Sequence, residues 1–198
     1  MTFRLLKSSG TLAVATCGLA LIAPAHAQDA FVEQIGTSNE AVVVQSSTNQ
    51  DVTINQNGTG NFGEIEQRDG GPREATFTQD GDDNVSTVLQ LGAGATTATI
   101  TQTGDGNTVL FGQNDTGLGS IAEIVQSGSD NSIDLIQDGD DNQVVLAQNG
   151  DNNAMTATQL NSGNRLEWTQ NGDGLSDLNI EQTGGQTMFI TQSNGGGG

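Results

Sequence analysis

The side chains that could do chemistry in this sequence are carboxylates and carboxamides. There are 24 acidic residues against five Lys and Arg. Residues 80–83 and 138–141 both read Asp-Gly-Asp-Asp, which suggests the calcium-binding turns of a parallel β-roll. Those rolls have a shorter, more glycine-rich period, and calcium needs six to eight oxygen ligands, so specific calcium sites are not favoured. The simpler interpretation is that Asp ends a strand and keeps the turn soluble, and calcium binding stays an open alternative.

The first 27 residues have the pattern of a Sec-type signal peptide. Arg4 and Lys7 supply the positive start, and residues 11–22 form an almost wholly apolar run. Residues 24–27, Pro-Ala-His-Ala, then offer a cleavage site after Ala27. The run is too short for a comfortable transmembrane helix, and no other long apolar run exists. We therefore predict export and no transmembrane segment.

Removal of this segment excludes most enzyme chemistry. The only Cys, His and Lys (Cys17, His26 and Lys7) leave with it, and residues 28–198 keep three Arg against 24 acidic residues, a formal net charge of 3 − 24 = −21. No disulfide, zinc site or Ser-His-Asp or Cys-His nucleophile can be built from this composition. The charge also argues against nucleic acids and anionic membranes. We expect no enzyme, no cofactor and no metal site.

Glutamine recurs at nearly constant spacing through residues 28–192. Most intervals are 11 residues, and the others are 10, 12 or 13. The positions are Gln34, Gln45, Gln56, Gln67, Gln79, Gln90, Gln102, Gln113, Gln126, Gln137, Gln148, Gln159, Gln170, Gln182 and Gln192. A fixed period over the whole segment indicates a repeat architecture, whereas average composition alone is typical of disorder.

Each glutamine ends a seven-residue segment of period-two alternation. The residues two and four before it are apolar everywhere except at Gly63 and Ser86, and the residues between them are mixed or polar. The residue six before it is most often Asn, at Asn39, Asn61, Asn84, Asn107, Asn131, Asn142, Asn153 and Asn164. Gln28, Gln50, Arg73, Thr96, Ser120, Ser176 and Gln186 hold the same position elsewhere. The pattern predicts short strands with one buried face.

The segments between the strands have turn chemistry. The residue two after the glutamine is Gly36, Gly58, Gly81, Gly92, Gly104, Gly128, Gly139, Gly150, Gly172 or Gly184. Glycine tolerates the left-handed backbone that tight turns require. Strand plus turn is about 11 residues, so two of them make a repeat of about 22 residues.

The predicted fold is all-β: a flattened two-sheet parallel β-solenoid, cross-β in kind. Odd strands form one sheet and even strands the other, with a thin apolar core between them. In-register stacking places the Gln residues in columns, and Asn39, Asn61, Asn84, Asn107, Asn131 and Asn153 in another. Amides in such columns can bond along the axis from rung to rung. No capping segment is visible, so both end rungs should expose unpaired edges that generate head-to-tail filaments.

The unit Gln-x-Gly-x-x-Asn-x5-Gln, as in residues 34–45 and 102–113, resembles the curlin repeat of curli subunits. The resemblance covers residues 28–192 with about seven repeats, between a signal peptide (1–27) and a Gly-rich tail (193–198). It implies export by a Gram-negative cell, an outer-membrane secretion pore, a nucleator, and assembly with itself into adhesive biofilm fibres. The chain departs from familiar subunits in having more repeats, in Asn142 and Asn164 where Ser is expected, and in lacking a polar leader before the repeats.

Two further alternatives stay open at the level of sequence. The chain could be a minor nucleator, although the uncharged last strand at residues 186–192 favours a polymerising main subunit. It could be a monomeric solenoid, such as an adhesin or an ice-binding module. Thr97, Thr99 and Thr101 form a local threonine array, but no matching column is expected on neighbouring rungs.

Arg68, Arg73 and Arg165 are expected to be solvated or locally paired. Stacked acidic turns should repel and slow premature polymerisation.

Overall fold

A computed structural model describes residues 2–4, 18–22 and 29–194, the first two segments by their backbone alone. These residues contain β-strands and no helix. The strands are β1 (Thr2–Arg4), β2 (Gly18–Ile22), β3 (Asp29–Thr37), β4 (Glu40–Gln45), β5 (Gln50–Thr59), β6 (Phe62–Gln67), β7 (Arg73–Asp80), β8 (Val85–Leu91), β9 (Thr96–Thr103), β10 (Thr108–Asn114), β11 (Ser120–Ser127), β12 (Ser132–Asp138), β13 (Gln143–Asn149), β14 (Ala154–Leu160), β15 (Arg165–Asn171), β16 (Ile180–Thr183) and β17 (Thr187–Ser193).

The strands form two sheets that are sorted by parity. One has the order β1-β3-β5-β7-β9-β11-β13-β15-β17, and the other β16-β14-β12-β10-β8-β6-β4-β2. Every pair from β2 to β17 is parallel and joins strands one repeat apart. We call the first the odd sheet and the second the even sheet. The predicted fold class, an all-β parallel solenoid of two sheets, is confirmed.

The thin core forms because alternate residues of every strand point inward. In β7 the burial alternates strictly, with Ala75 and Phe77 inside and Glu74, Thr76 and Thr78 outside. Equivalent residues of both sheets join one hydrophobic cluster that runs through the solenoid, and Trp168 is the largest fully buried side chain. Because side chains alternate with a period of two, a one-residue slip would turn this face outward, and the register is therefore strongly specified.

The turns stack as closely as the strands do. Gly58 and Gly81 have φ of 125° and 131°, a region that L side chains rarely adopt. A Cβ on Gly81 would overlap the carbonyl oxygen of Gly104 in the next rung. Glycine is required here both for backbone conformation and for close approach of neighbouring turns.

The last rung departs from the predicted pattern. Leu178 was expected to point into the core and Ser176 to start the strand, but both are exposed and lie outside β16. The turn at residues 171–174 has the same length as its neighbours, so Leu175 arrives at the Asn column and its amide N bonds Asn153 Oδ1 at 2.9 Å. One residue too many then precedes Gln182, and the excess bulges out around Asn179, with φ of 49°.

The first repeat strand begins at Asp29, and strands from the predicted signal peptide lie beside the first rung. β1 pairs with β3 in antiparallel fashion, and β2 pairs with β4 in parallel. Residues 1, 5–17 and 23–27 of the predicted signal peptide, Gln28, which was expected to start the first repeat strand, and residues 195–198 of the predicted tail lie outside the described residues. Within the described segments, no helix has the length and apolar character needed to cross a membrane.

The stacked turns make a matched pair of glycine substitutions informative. Gly81→Ala forces an alanine into a positive φ against the Gly104 carbonyl and should lower the free energy of unfolding by about 2 kcal/mol or more. Gly112 lies in β10, where an added Cβ would meet no atom within 4 Å. Gly112→Ala should leave stability unchanged or raise it slightly. Denaturant unfolding of both variants checks this, and equal stabilities would contradict the stacked-turn geometry.

Candidate functional site

Two columns of buried glutamine carboxamides run the length of the solenoid. In each column the Nε2 of one glutamine donates to the Oε1 of the glutamine in the next rung, over 2.7–3.1 Å. The odd-sheet column is Gln34, Gln56, Gln79, Gln102, Gln126, Gln148, Gln170 and Gln192. The even-sheet column is Gln45, Gln67, Gln90, Gln113, Gln137, Gln159 and Gln182. Every glutamine in both columns donates toward the C-terminal end, so each column has a direction, with an acceptor at one end and a donor at the other.

The same amides also tie the two sheets together, a role that the sequence reasoning missed. The second N–H of Gln79 donates to the Phe62 carbonyl at 3.0 Å, and that of Gln102 to the Val85 carbonyl at 3.0 Å. Both acceptors are backbone carbonyls at the start of even-sheet strands. Even-sheet glutamines return the bond, as from Gln90 to the Glu74 carbonyl at 3.2 Å. From Gln45 to Gln182, every ladder glutamine except Gln113 donates to two acceptors, which satisfies both N–H groups, as a buried carboxamide requires.

Asparagine forms a third column at the start of the even strands. Asn61, Asn84, Asn107 and Asn131 each donate Nδ2 to the Oδ1 of the asparagine in the preceding rung, beginning at Asn39. The same Nδ2 atoms donate to the carbonyl of a turn glycine in the next rung, as from Asn84 to Gly104 at 2.7 Å. Asn153 continues the column through its backbone N–H, which donates to Asn131 Oδ1 at 3.0 Å. The column thus fixes the turns as well as the strands.

The corresponding column of the odd sheet is irregular. It contains Gln50, Arg73, Thr96, Ser120, Asn142 and Asn164, and only its last two members form an amide pair, at 3.0 Å. Gln186 ends this column: its side chain is exposed on the last rung, and its backbone N–H donates to Asn164 Oδ1 at 3.2 Å. The ten turn glycines all have positive φ, as the sequence predicted.

Arg73 corrects the expectation that all three arginines are solvated or locally paired. It is only 2% exposed, and its guanidinium donates to the carbonyls of Asp69, Gly71 and Gly92. Its Nε and the neighbouring Thr96 hydroxyl are buried without a partner among the described residues. Burial lowers the pKa of Arg73, and the charges of Asp69 and Asp115 oppose that change. Arg68 pairs with Glu66, and Arg165 donates to Gln143 on the outer face.

Asp115 and Asp140 are neighbouring carboxyls in successive turns that lead from the even sheet to the odd sheet. Asp115 is fully buried and accepts from the Ser120 hydroxyl at 2.8 Å and from the Gly117 amide at 3.0 Å. Burial raises the pKa of Asp115, whereas backbone N–H donors, first that of Thr116, lower the pKa of Asp140. As pH falls, Asp115 is therefore the first of the two carboxyls to take up a proton.

The acidic turns serve as caps for neighbouring turns. Asp82, Asp105, Asp151 and Asp173 each accept a backbone N–H from the preceding rung, at 2.7–2.9 Å. Within the described residues, no three Asp, Glu, His or Cys side chains come together as a metal site would need. In the folded chain, these turn carboxylates therefore act as hydrogen-bond acceptors that join neighbouring turns.

The outer face of the odd sheet corrects the expectation about threonine. Thr53, Thr76 and Thr99 stand in one column, and Thr78 and Thr101 in the next, where Asn55 takes the place of the third threonine. Glu123 and Val125 replace threonine in the following rung. The array therefore recurs over three rungs and then stops. This recurrence was overlooked in the sequence, where Thr53, Thr76 and Thr99 each lie three residues before their glutamine.

Residues 128–160 match the family model of the curlin associated repeat. This segment runs from the turn before β12 to the end of β14, and contains two of the glutamine-to-glutamine units described above. Comparisons with curated proteins and with solved structures gave no significant match. The resemblance inferred from the repeat unit is confirmed by the family match.

Truncation of one ladder member tests the contribution of the glutamine columns. Gln102→Ala removes the acceptor of Gln79, the donor to Gln126 and the bond to the Val85 carbonyl. Each buried group left unpaired costs about 1–3 kcal/mol, so we expect a loss of about 3 kcal/mol or more in unfolding free energy. The control Thr101→Ala, one residue away on the outer face, should change stability by about 0.5 kcal/mol or less. Similar losses for the two variants would contradict the ladder.

The burial of the Asp115 carboxyl predicts a pH-dependent effect of Asp115→Asn. A carboxyl whose folded pKa is raised contributes stability while protonated, and this contribution is lost as pH rises through that pKa. In the variant, Oδ1 still accepts from the Gly117 N–H, and Nδ2 can donate to the Ser120 hydroxyl, which then donates to the Gly139 carbonyl, all without the buried charge. We therefore expect the variant to be more stable than the parent at pH 7, with the difference vanishing below about pH 4. Thermal unfolding against pH measures this, with Asp134→Asn on the exposed face of β12 as the charge-matched control.

Proposed function

We propose that this chain, whose residues 128–160 match the curlin associated repeat, is a structural subunit of a secreted, extracellular amyloid fibre of the curli type. Its role is mechanical: it stacks on copies of itself to build fibres for adhesion, cell aggregation and biofilm matrix. It carries out no reaction and needs no cofactor.

The observation that carries this proposal is the in-register stacking of identical polar columns through every rung. Parallel strands with buried amide ladders are the structural elements of cross-β fibres. Here the ladders extend from Gln34 to Gln192 in one sheet and from Gln45 to Gln182 in the other without a break. A second molecule would continue the same columns with the same side chains.

The C-terminal rung supports growth by addition. β17 pairs with β15 on one side only, so its other edge is open. Its inward residues Met188 and Ile190 are only partly buried against the core, and Phe189 is 65% exposed. An open edge strand that ends a continuous core is a template for another chain.

Export and the partners of assembly complete the proposal. The signal-peptide pattern of residues 1–27 sends the chain out of the cytoplasm, to the surface of a Gram-negative cell. The first partner is a second copy of this chain, and a nucleator and an outer-membrane secretion pore would start and deliver the fibre. The uncharged inner face of β17 favours the main subunit over the nucleator.

The threonine columns give a specific reason to keep a second candidate function. A monomeric solenoid could present Thr53, Thr76, Thr78, Thr99 and Thr101 as a flat array of hydroxyl and methyl groups to a surface such as ice. The array spans only three rungs, and the open end rung has no use in such a monomer. The fibre subunit is therefore the better supported function.

Assembly of residues 28–198, the chain without its predicted signal peptide, tests the proposal. After removal of denaturant we expect a lag and then growth of thioflavin T fluorescence, with the lag abolished by preformed fibres. The product should diffract near 4.7 and 10 Å, the spacings between strands and between sheets. A stable β-rich monomer at high concentration would contradict the proposal and favour the solenoid binder.

A pair of lysine substitutions in β17 tests whether this strand is the edge at which the fibre grows. Ile190 points inward on the open rung, where an added molecule would bury it, whereas Thr191 points outward. Ile190→Lys should therefore block elongation, because a buried unpaired ammonium is costly. Thr191→Lys carries the same charge and should still elongate from parent fibres. Equal elongation of the two variants would show that β17 is not a growing edge.

A further inference from the structure

The number of repeat strands between residues 29 and 194 is odd. β3 to β17 are fifteen strands, of which eight belong to the odd sheet and seven to the even sheet. The chain therefore starts and finishes its repeats in the same sheet, and the two ends of the solenoid are not equivalent. This has a geometric consequence for any fibre built from residues 28–198.

Stacking without rotation leaves a gap at each junction. If β3 of an added molecule lies on β17, the odd sheet is continuous, but β4 then stands two strand spacings from β16, about 9.6 Å. One strand is missing from the even sheet, and Gln182 cannot reach Gln45 of the added molecule. Both edges facing the gap would keep unpaired backbone groups, and the core would contain a void.

We propose that successive subunits are related by a half-turn about the fibre axis, so that the two sheets exchange roles at every junction. This inference rests on the proposed function. A half-turn carries an odd-sheet strand into the even sheet and reverses its direction, which matches the strands already there. β3 of the added molecule then lies on β16, and β4 lies on β17. No strand is missing in either sheet.

The open ends of the glutamine columns fit this arrangement. The columns donate toward the C-terminal end and finish at Gln182 and Gln192. Within one molecule Gln192 Nε2 donates to the Ser176 carbonyl, which leaves one N–H for an added molecule, whereas Gln182 Nε2 donates to the carbonyls of Arg165 at 3.0 Å and Gln186 at 3.3 Å, and the longer of these bonds would be replaced at the junction. At the other end, no donor within residues 29–194 reaches the Oε1 atoms of Gln34 and Gln45. In the half-turn stack Gln182 donates to Gln34 of the added molecule, and Gln192 to Gln45. Both columns therefore continue, whereas the unrotated stack continues only one.

The residues around these glutamines also match in register. With Gln45 beside Gln192, Ala41 lies beside Met188, Val43 beside Ile190, and Val42 beside the exposed Phe189. The inward positions are apolar in both strands. An aromatic residue beside a β-branched residue on the outer face is a favourable neighbouring pair.

The edge of β4 already accepts a parallel strand in the full chain. β2 pairs with β4 in parallel, with Leu19 opposite Ala41 and Leu21 opposite Val43. In the half-turn stack, Met188 and Ile190 of β17 take the register positions of Leu19 and Leu21. β2 thus occupies the place of a neighbouring molecule until the predicted cleavage after Ala27 frees it. With β2 retained, β2 to β17 would be sixteen parallel strands, eight in each sheet, and the odd sheet would have no extra strand.

One electrostatic cost falls on the half-turn junction. Aligning Gln34 with Gln182 places Glu33 beside Glu181, two like charges at strand spacing. They lie on the outer face, where water and salt screen them. In the unrotated stack, the strand edges on both sides of the gap lose their backbone hydrogen bonds. That loss outweighs the repulsion between one pair of solvated carboxylates.

Engineered disulfides distinguish the two junctions. Residues 28–198 contain no cysteine, and neighbouring parallel Cα atoms lie about 4.8 Å apart, within disulfide range. Fibres of Val42→Cys/Phe189→Cys, grown reduced and then oxidised, should yield covalent oligomers on a non-reducing gel after dissolution. The matched variant Phe31→Cys/Phe189→Cys shares one cysteine and reports the unrotated stack, in which β3 lies on β17. It should stay predominantly monomeric, with at least tenfold less cross-linked material.

Each outcome has one meaning. Cross-linking of residue 42 to residue 189 supports the half-turn. Cross-linking of residue 31 to residue 189, of both pairs equally, or of neither pair in fibres that diffract at 4.7 Å would overturn it. Residues 42 and 189 lie at opposite ends of one molecule, so an intramolecular bond cannot imitate the result. Failure to form cross-β fibres at all is distinct, because it removes the proposed function and the junction with it.

Discussion

The buried glutamine amide is the interaction on which the rest of the structure depends. A carboxamide in an apolar core is stable only when both of its N–H groups and its oxygen are paired. Here one N–H reaches the next rung and the other reaches a backbone carbonyl of the opposite sheet, as Gln102 does with Gln126 and Val85. One residue type at one position therefore sets the register within each sheet and the alignment between the two sheets. A leucine of similar size would fill the space and specify neither.

This constraint explains why a composition typical of disorder gives an ordered fold. Average charge and polarity do not predict whether a chain folds when its polar residues recur at inward positions, where their side chains hydrogen-bond to one another. The acidic residues are kept to turns and outer faces, and several cap the N–H groups of a neighbouring turn, as Asp82 and Asp105 do. The cost of stacking like charges is left at the solvated periphery. In a fibre, the same division would place the ladders inside and the acidic turns along the edges.

Much of the fold could be predicted because each strand carries its own register mark. The Gln positions gave the strands, the parity of the sheets and the inward residues, since one glutamine ends every strand. The last rung could not be predicted, because Leu178 and Ser176 satisfy the alternation although one extra residue precedes Gln182. The burial of Arg73 was also beyond the sequence, since the groups that pair with it are backbone carbonyls of two turns. The threonine columns could have been found, because Thr53, Thr76 and Thr99 each lie three residues before a glutamine of the odd sheet. The second bond of each glutamine was missed because its acceptor is a backbone carbonyl, which no side-chain pattern marks.

The central claim is that the glutamine amides are buried and hydrogen-bonded along the whole stack. Hydrogen exchange of the side-chain amides in assembled chain, read by NMR, tests it most directly. The account predicts that the amides of Gln56, Gln79, Gln102 and Gln126 exchange as slowly as the backbone of their strands, whereas the outward carboxamide of Asn55 exchanges quickly. Fast exchange of the inward glutamines, at the rate of Asn55, would show that the ladders do not hold the structure together.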